Sequence, residues 1–399
     1  MQIGIVGKPN VGKSTLFKAI TLVDVARANY PFTTIEPNEG VGFVRKECAE
    51  RYFGVKCNPR EGYCINGTRF VPVKFLDVAG LVPGAHEGRG LGNKFLDDLR
   101  QADLLIHVVD ASGGTDAEGK VVQTLSYDPC NDVEFLEKEL DWWLFGILKN
   151  NLKKSVKVMV VQKIKPADEL FRILSGLKVS EGQIEEAMKK INMSENPQEW
   201  SDGIIMKFSR EIRQISKPIV IAANKIDISG AEKNVERLKE RFTNYKIFGV
   251  SAESELALKE ANKVGFIDYV PGNKGFNILD ESKISEQQRQ GLEFIRKNIL
   301  EKFENGTGVQ DLLDRAVFDV LRYIVVFPGG VKNLVDSQGR TLPDAFLFPA
   351  GTTAIDFAFK IHEDLGKNFI KAIDVKTKMF LGKEHVLKDG DVIEIVANK

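Results

Sequence analysis

Eight residues near the start of the chain, Gly7-Lys-Pro-Asn-Val-Gly-Lys-Ser14, constrain the fold more than any other feature. They fit Gly-x4-Gly-Lys-Ser, a loop whose backbone N–H groups cradle phosphates. The apolar run Ile3 to Val6 precedes it and predicts a buried strand. Thr15 to Ala19 follows and predicts the opening of a helix. Glycines at 7 and 12 permit backbone angles that turn successive N–H groups towards one anion. The helix N-terminus adds the positive end of its dipole. Lys13 supplies a charge to the outer phosphates and Ser14 a hydroxyl to Mg2+. Gly7, Asn10, Val11, Gly12, Lys13, Ser14 and Thr15 are the expected phosphate-side contacts.

A strand, loop and helix of this kind need a larger sheet around them, and 399 residues predict two or three domains. Acidic and basic residues balance at 56 each, so no global field directs the chain to nucleic acid or membrane. The apolar runs are too short to span a bilayer and no signal-peptide pattern opens the chain, which predicts a cytoplasmic protein without a membrane partner. Four cysteines stand at 48, 57, 64 and 130. The first three cluster without a CxxC pair or a neighbouring His, and the reading favours free thiols over a structural metal.

Downstream segments supply the partners that a phosphate loop requires. Tyr30-Pro-Phe-Thr-Thr34 stands where a nucleotide switch places its first responsive segment, and Thr34, in preference to Thr33, is the expected Mg2+ ligand there. Residues 45 to 70 are poorly periodic and read as a hairpin excursion. Phe70 to Leu76 predicts a strand ending in Asp77-Val-Ala-Gly80; Asp77 is the second Mg2+ anchor and Gly80 an N–H donor to the γ-phosphate. Leu81 follows where Ras-like enzymes hold a water-orienting Gln, so the hydrolytic group must come from elsewhere. Leu104 to Asp110 is another buried strand, with His107 read as a hydrogen-bonded core residue.

From residue 131 the pattern turns helical. Leu136, Leu140, Trp143 and Ile147 repeat at helical spacing, and further helical patterns cover 180–192 and 207–215. Residues 131–214 therefore read as a helical insertion, a paired-helix arm, with Trp142 and Trp143 as packing residues. Lys149 to Lys165 carries six lysines and no acid: a basic flank or a solvated face. The α/β character resumes with Pro218 to Asp227. The carboxylate of Asp227 can accept from guanine N1–H and the 2-amino group, whereas adenine would leave it unpaired. Asn224 would tie this loop to the phosphate loop, and the stem of Lys225 would cover the base. Lys246 to Val250 predicts a strand ending in Ser251-Ala252-Glu253, whose N–H groups can reach the guanine 6-oxo group. Helices are expected at 255–263, 285–303 and 309–322. Val325 to Lys399 reads as a compact α+β module with one helix, Ala354 to Leu365. Lys367, Lys371, Lys376, Lys378 and Lys383 there face only Asp374, a nucleic-acid patch or a solvated face.

Gly7 to Ser14, Tyr30 to Thr34, Asp77-Val-Ala-Gly-Leu-Val-Pro-Gly-Ala-His86 and Gly90-Leu-Gly-Asn-Lys-Phe95 together resemble the Obg superfamily, specifically its YchF-related branch. The tail resembles a TGS domain at Gly351 to His362 and Asp389 to Ile395. The resemblance implies a Ras-like α/β phosphate-loop GTPase domain (1–130 and 215–322), an inserted α-helical coiled-coil arm (131–214) and a C-terminal β-grasp TGS domain (323–399). YchF proteins proper carry a fourth motif ending in Glu and prefer ATP, whereas Asn224-Lys-Ile-Asp227 places this chain with a side-branch expected to bind GTP. The His that YchF relatives are suspected of using is absent from Ala111 to Gly119. Substitutes for the catalytic Gln are His86 and Arg89, or a K+ held through Asn10. The implied cofactors are GTP/GDP and Mg2+, and the implied partner is the ribosome or another RNA, met through the arm and the TGS domain. The alternatives are an ATPase of the YchF type and a nucleotide-gated scaffold with little turnover.

Overall fold

The computed structural model describes residues 1–22, 38–78 and 99–398. Thr33, Thr34, Gly80, Leu81, His86 and Arg89 lie outside them.

The central sheet runs in the order β2-β4-β1-β5-β6-β7. Its strands are β1 (Gln2–Val6), β2 (Glu39–Glu47), β4 (Thr68–Asp77), β5 (Leu104–Asp110), β6 (Ile219–Asn224) and β7 (Lys246–Val250). β4, β1, β5, β6 and β7 are parallel, and β2 closes one edge antiparallel. Every residue of β5 and β6 is buried, as expected of parallel strands covered on both faces, and this explains their unbroken apolar runs. The register sets the chemistry: Ile5 pairs with Asp77, Val6 with His107, Asp110 with Asn224 and Asn224 with Val250. Those pairs bring the ends of the parallel strands to one edge of the sheet.

The stretch 45–70 contains a short helix, α2 (Glu50–Phe53), and the small strand β3 (Tyr63–Ile65). β3 turns into β4 at Asn66-Gly67, both at positive φ (50° and 76°), the pair favoured in a two-residue hairpin turn.

The helical region is more than a pair. A 33-residue helix, α3 (Cys130–Gln162), buries Leu136, Leu140, Trp143, Leu148 and Leu152 against Ile205, Phe208 and Ile212 of α6 (Asp202–Ser216). Two shorter helices, α4 (Pro166–Leu174) and α5 (Glu181–Lys190), pack along them. α3 ends where Lys163 turns to a positive φ of 53°, and Pro166 opens α4, since proline suits the first turn of a helix. Trp143 is core, while Trp142, one position round the helix, is half-exposed and meets Phe145 edge-on.

α7 (Ala231–Arg241) links β6 to β7; behind β7, α8 (Ala252–Lys263) begins one residue after the strand, and β8 (Ile267–Tyr269) and β9 (Phe276–Ile278) form a hairpin that periodicity did not reveal. The C-terminal module has the sheet order β11-β10-β14-β12-β13, with β10 (Tyr323–Pro328) parallel to β14 (Val392–Ala397). The others are β11 (Phe346–Pro349), β12 (Phe369–Asp374) and β13 (Phe380–Leu381). Its expected single helix is two, Ala354–Ile361 and Glu363–Lys367, because His362 adopts extended angles and its ring accepts from Asp364 N–H. One hydrophobic core runs across the module boundary, joining Val44, Cys48 and Leu312 to Phe327, Leu342 and Val392.

Candidate nucleotide site

The loop from Gly7 to Gly12 joins β1 to α1 (Lys13–Thr21). Two of its glycines are required by space as well as by torsion. At Gly7, φ is +150° and a Cβ would lie 2.4 Å from the Val108 carbonyl oxygen. At Gly12, φ is +95° and a Cβ would lie 2.2 Å from Asn224 Nδ2. Lys13 folds back and donates to the Lys8 carbonyl at 2.7 Å, across the mouth of the loop. Burial lowers the Lys13 ammonium pKa and the Asp77 carboxylate counteracts it. Burial raises Asp77, with Lys13 and a hydrogen bond from Ser14 pulling the other way. A half-buried carboxylate joined to a hydroxyl beside the phosphate loop is a set of hard oxygen donors that fits Mg2+.

Asn224 is the strap predicted from sequence. Its Nδ2 donates to Val11 O at 2.9 Å and its Oδ1 accepts from Ala252 N–H at 3.1 Å, so one buried amide joins three loops. Asp227 is oriented by the Ser251 hydroxyl, which donates to its Oδ1 at 2.7 Å. Ser251 is wholly buried and also caps α8 by accepting from Ser254 N–H. Lys225 donates to Asn10 O at 3.0 Å and to Asp110 Oδ2 at 2.8 Å, which lays its stem across the top of the phosphate loop. Ala252 is buried and Glu253 exposed. Val11 is buried in the core beneath the loop, and Thr15 follows Ser14 in the first turn of α1.

Sequence reasoning missed a set of braces. Asp110 accepts from Ser112 Oγ, Thr115 Oγ1 and Lys225 Nζ, fixing the loop after β5. Asn10 Nδ2 donates to Gly119 O at 2.9 Å, and buried Lys8 bridges Thr115 O and Asp132 Oδ2 at 3.0 and 2.8 Å. On the far side, Thr307 O accepts from Ser251 N–H, and Gly308 passes so close to the Gly249 carbonyl that a Cβ would lie 2.0 Å from its oxygen. The turn sequence Gly306-Thr-Gly308 was the available signal. His107 is core, as read, but its Nδ1 has no hydrogen-bond partner among the described residues. Burial pushes its pKa down to about 3, aided by the charges of Lys13 and Lys8.

The lysine clusters divide. Lys149 pairs with Asp202, whereas Lys153, Lys154, Lys157, Lys163 and Lys165 are exposed towards the far end of α3, beside exposed Val158, Val160 and Val161. In the C-terminal module Lys367 pairs with Glu363, Lys383 approaches Glu384, and Lys376 binds the Gly390 carbonyl. Lys371 lies 3.5 Å from the centroid of the exposed Phe380 ring.

Comparison with known proteins accords with this geometry. A family model for a 50S ribosome-binding GTPase matches residues 2–136, and the G4 motif-containing domain of the YGR210-like Obg-like GTPases matches 222–332. A TGS domain model matches 338–397. An uncharacterized GTP-binding protein of Methanocaldococcus jannaschii is 50% identical over 397 residues, 99% of each chain. The ribosome-binding ATPase YchF of Bacillus subtilis is 31% identical over 100% of this chain and 99% of its own. The crystal structure of a GTP binding protein from Pyrococcus horikoshii, 39% identical, covers 100% of both chains with a TM-score of 0.79. With the motif loops gathered at one sheet edge and this likeness extending from end to end, the chain belongs to the YchF family of Obg-like GTPases and ends in a TGS domain.

Proposed function

We propose that this chain is a Mg2+-dependent GTPase that acts as a switch on the ribosome or a related RNA. The observation that carries the guanine assignment is Asp227, held by Ser251 while Asn224 fastens its loop to the phosphate loop. A fixed carboxylate matches the two adjacent donors of guanine and is left unpaired by adenine. Gly7, Asn10, Val11, Gly12, Lys13, Ser14 and Thr15 would receive the phosphates, with Gly80 donating to the γ-phosphate. Lys225 would cover the base, and Ser251, Ala252 and Glu253 would meet its 6-oxo edge. Ser14, Thr34 and Asp77 would hold Mg2+, which supplies charge neutralisation on the outer phosphates. Intrinsic turnover is expected to be slow, because Leu81 cannot orient water. His86, Arg89 and a K+ near Asn10 are the substitutes.

Division into a G domain (1–130 and 215–322), a helical insertion (131–214) and a TGS module (323–399) gives such a switch its outputs. The exposed lysines and valines at the far end of α3 suit contact with RNA and its protein neighbours. The B. subtilis relative is named a ribosome-binding ATPase, so an ATP-using enzyme is the competing reading. Ribosome co-sedimentation with GTP, GDP and a non-hydrolysable GTP analogue tests the switch. Binding should depend on the nucleotide, and equal or absent binding in all three states would remove it. Turnover that is unchanged when K+ is replaced by Na+ would remove the cation from the mechanism.

A further inference from the structure

Three of the four cysteines converge at a corner that the nucleotide site does not use. Cys48 follows β2, Cys57 lies on the loop after α2, and Cys64 lies on β3. With Glu50, their ligand atoms all lie within 4.8 Å of one another. Cys48 Sγ and Cys57 Sγ are 3.7 Å apart, and Cys64 Sγ is 3.3 Å from Glu50 Oε1. Two thiolates on one tetrahedral Zn2+ at about 2.3 Å each stand about 3.8 Å apart, and a thiolate and a carboxylate oxygen about 3.6 Å. The cluster therefore comes close to a filled site at these two separations, with every other pair of ligand atoms within 4.8 Å. It is too long for a disulfide, whose sulfurs lie about 2.05 Å apart.

The surroundings agree with a metal centre. The second carboxylate oxygen of Glu50 accepts from Cys57 N–H at 2.8 Å, an outer hydrogen bond that fixes the direction of a ligand. Arg69 is wholly buried and donates to the Leu342 and Pro343 carbonyls, and its positive charge acts on the Cys48 sulfur. Three thiolates and a carboxylate around a divalent ion leave two negative charges, and a buried guanidinium offsets one of them. A cleft lined by Glu50, Cys57, Cys64 and Gly67 gives an ion a way in.

We propose that Cys48, Cys57, Cys64 and Glu50 form a structural Zn2+ site that locks the G domain to the TGS module. The loop it would fix is the one whose Asn58 and Arg60 N–H groups donate to Thr341 O and Pro343 O, at 2.8 and 2.9 Å. Arg60 also pairs with Asp344 at 2.9 Å. Sulfur-rich donors select a thiophilic ion over Mg2+, so the site is chemically distinct from the oxygen ligands beside the phosphate loop.

The test is Co2+ titration of the full-length, metal-stripped, reduced protein under anaerobic conditions, with metal content measured on protein purified without chelator. One equivalent should give sulfur-to-cobalt charge transfer in the near ultraviolet and tetrahedral visible bands, and one equivalent of Zn2+ should bleach both. Co2+ at the nucleotide site gives no sulfur charge transfer. Cys64→Ser, at the partly exposed ligand, should weaken cobalt binding at least tenfold and lower the melting temperature of the Zn2+ form, whereas Cys130→Ser should bind as the parent does. Absence of sulfur charge transfer from the reduced parent would overturn the proposal, as would equal losses in Cys64→Ser and Cys130→Ser. A Cys48–Cys57 disulfide in protein purified without bound metal would also overturn it. The parent titration decides the matter even where a variant does not fold.

Discussion

Asp227 carries most of the proposed specificity. Its carboxylate is held by one hydroxyl, from Ser251, and in the proposed complex would meet the two donors of guanine. Asp227→Asn exchanges an acceptor for a donor, and losing a charge-assisted pair costs about 1.5–3 kcal/mol. GTP affinity should fall about 10- to 100-fold. Xanthosine triphosphate, whose 2-oxo group can accept from the new amide, should gain affinity; competition titrations of the variant with both nucleotides check this. His107 makes a different prediction. Its folded pKa of about 3 lies below the ordinary value of 6.5, so the unfolded chain takes up the proton first. Its contribution to stability is complete above pH 6.5 and is lost as pH falls towards 3. Between pH 6.5 and 5 the loss should be about 2 kcal/mol. Urea unfolding should show the parent losing about 2 kcal/mol more than His107→Phe, which cannot titrate, between pH 6.5 and 5; equal losses would contradict this.

At the scale of the element, the phosphate loop is held from outside as much as by its own turn. Asn224 Nδ2 occupies the space that a Gly12 Cβ would need. Gly12→Ala must displace the strap to Val11 and adopt an unfavourable positive φ, so nucleotide affinity should fall at least tenfold while the far-ultraviolet circular dichroism stays near that of the parent. Equal affinity would mean that the strap is dispensable. The parts legible in the sequence were those in which local pattern and tertiary role coincide: the buried runs of β1, β5 and β6, the loop glycines and the Asn224 strap. The braces from Lys8 to Thr115 and Asp132 and from Lys225 to Asp110 were not legible, because each joins ordinary polar residues over long separations that no spacing rule encodes. The split of the C-terminal helix at His362 depends on one backbone angle. The convergence of the three thiols was not legible because spacings of nine and seven residues match no simple metal motif. Only the hairpin turn at Asn66-Gly67 brings Cys64 back towards Cys48 and Cys57.

At the scale of the whole molecule, the G domain and the TGS module share a core and several polar contacts. Lys46 pairs with Asp389, Arg69 holds the chain at Leu342 and Pro343, and Tyr52 bonds the Lys376 carbonyl. These contacts lie on β2, α2 and β4, and β2 begins immediately after the segment that contains Thr34. In the proposed switch, β2 is the element through which a change at that segment would reach the TGS module. The helical region is fastened elsewhere, through α3 against the loop after β5, where Lys8 meets Asp132. The helical region and the TGS module thus both connect to elements that touch the phosphate loop. The central claim is that this arrangement reads guanine, and it is tested most directly by titrating the protein with fluorescent GTP in K+ and Mg2+ buffer, with unlabelled GTP and ATP as competitors. GTP should outcompete ATP by about 10^4-fold, the discrimination available to a matched over an unmatched buried polar group. Equal competition by ATP would contradict the role given to Asp227 and align this chain with the ATP-using members of its family.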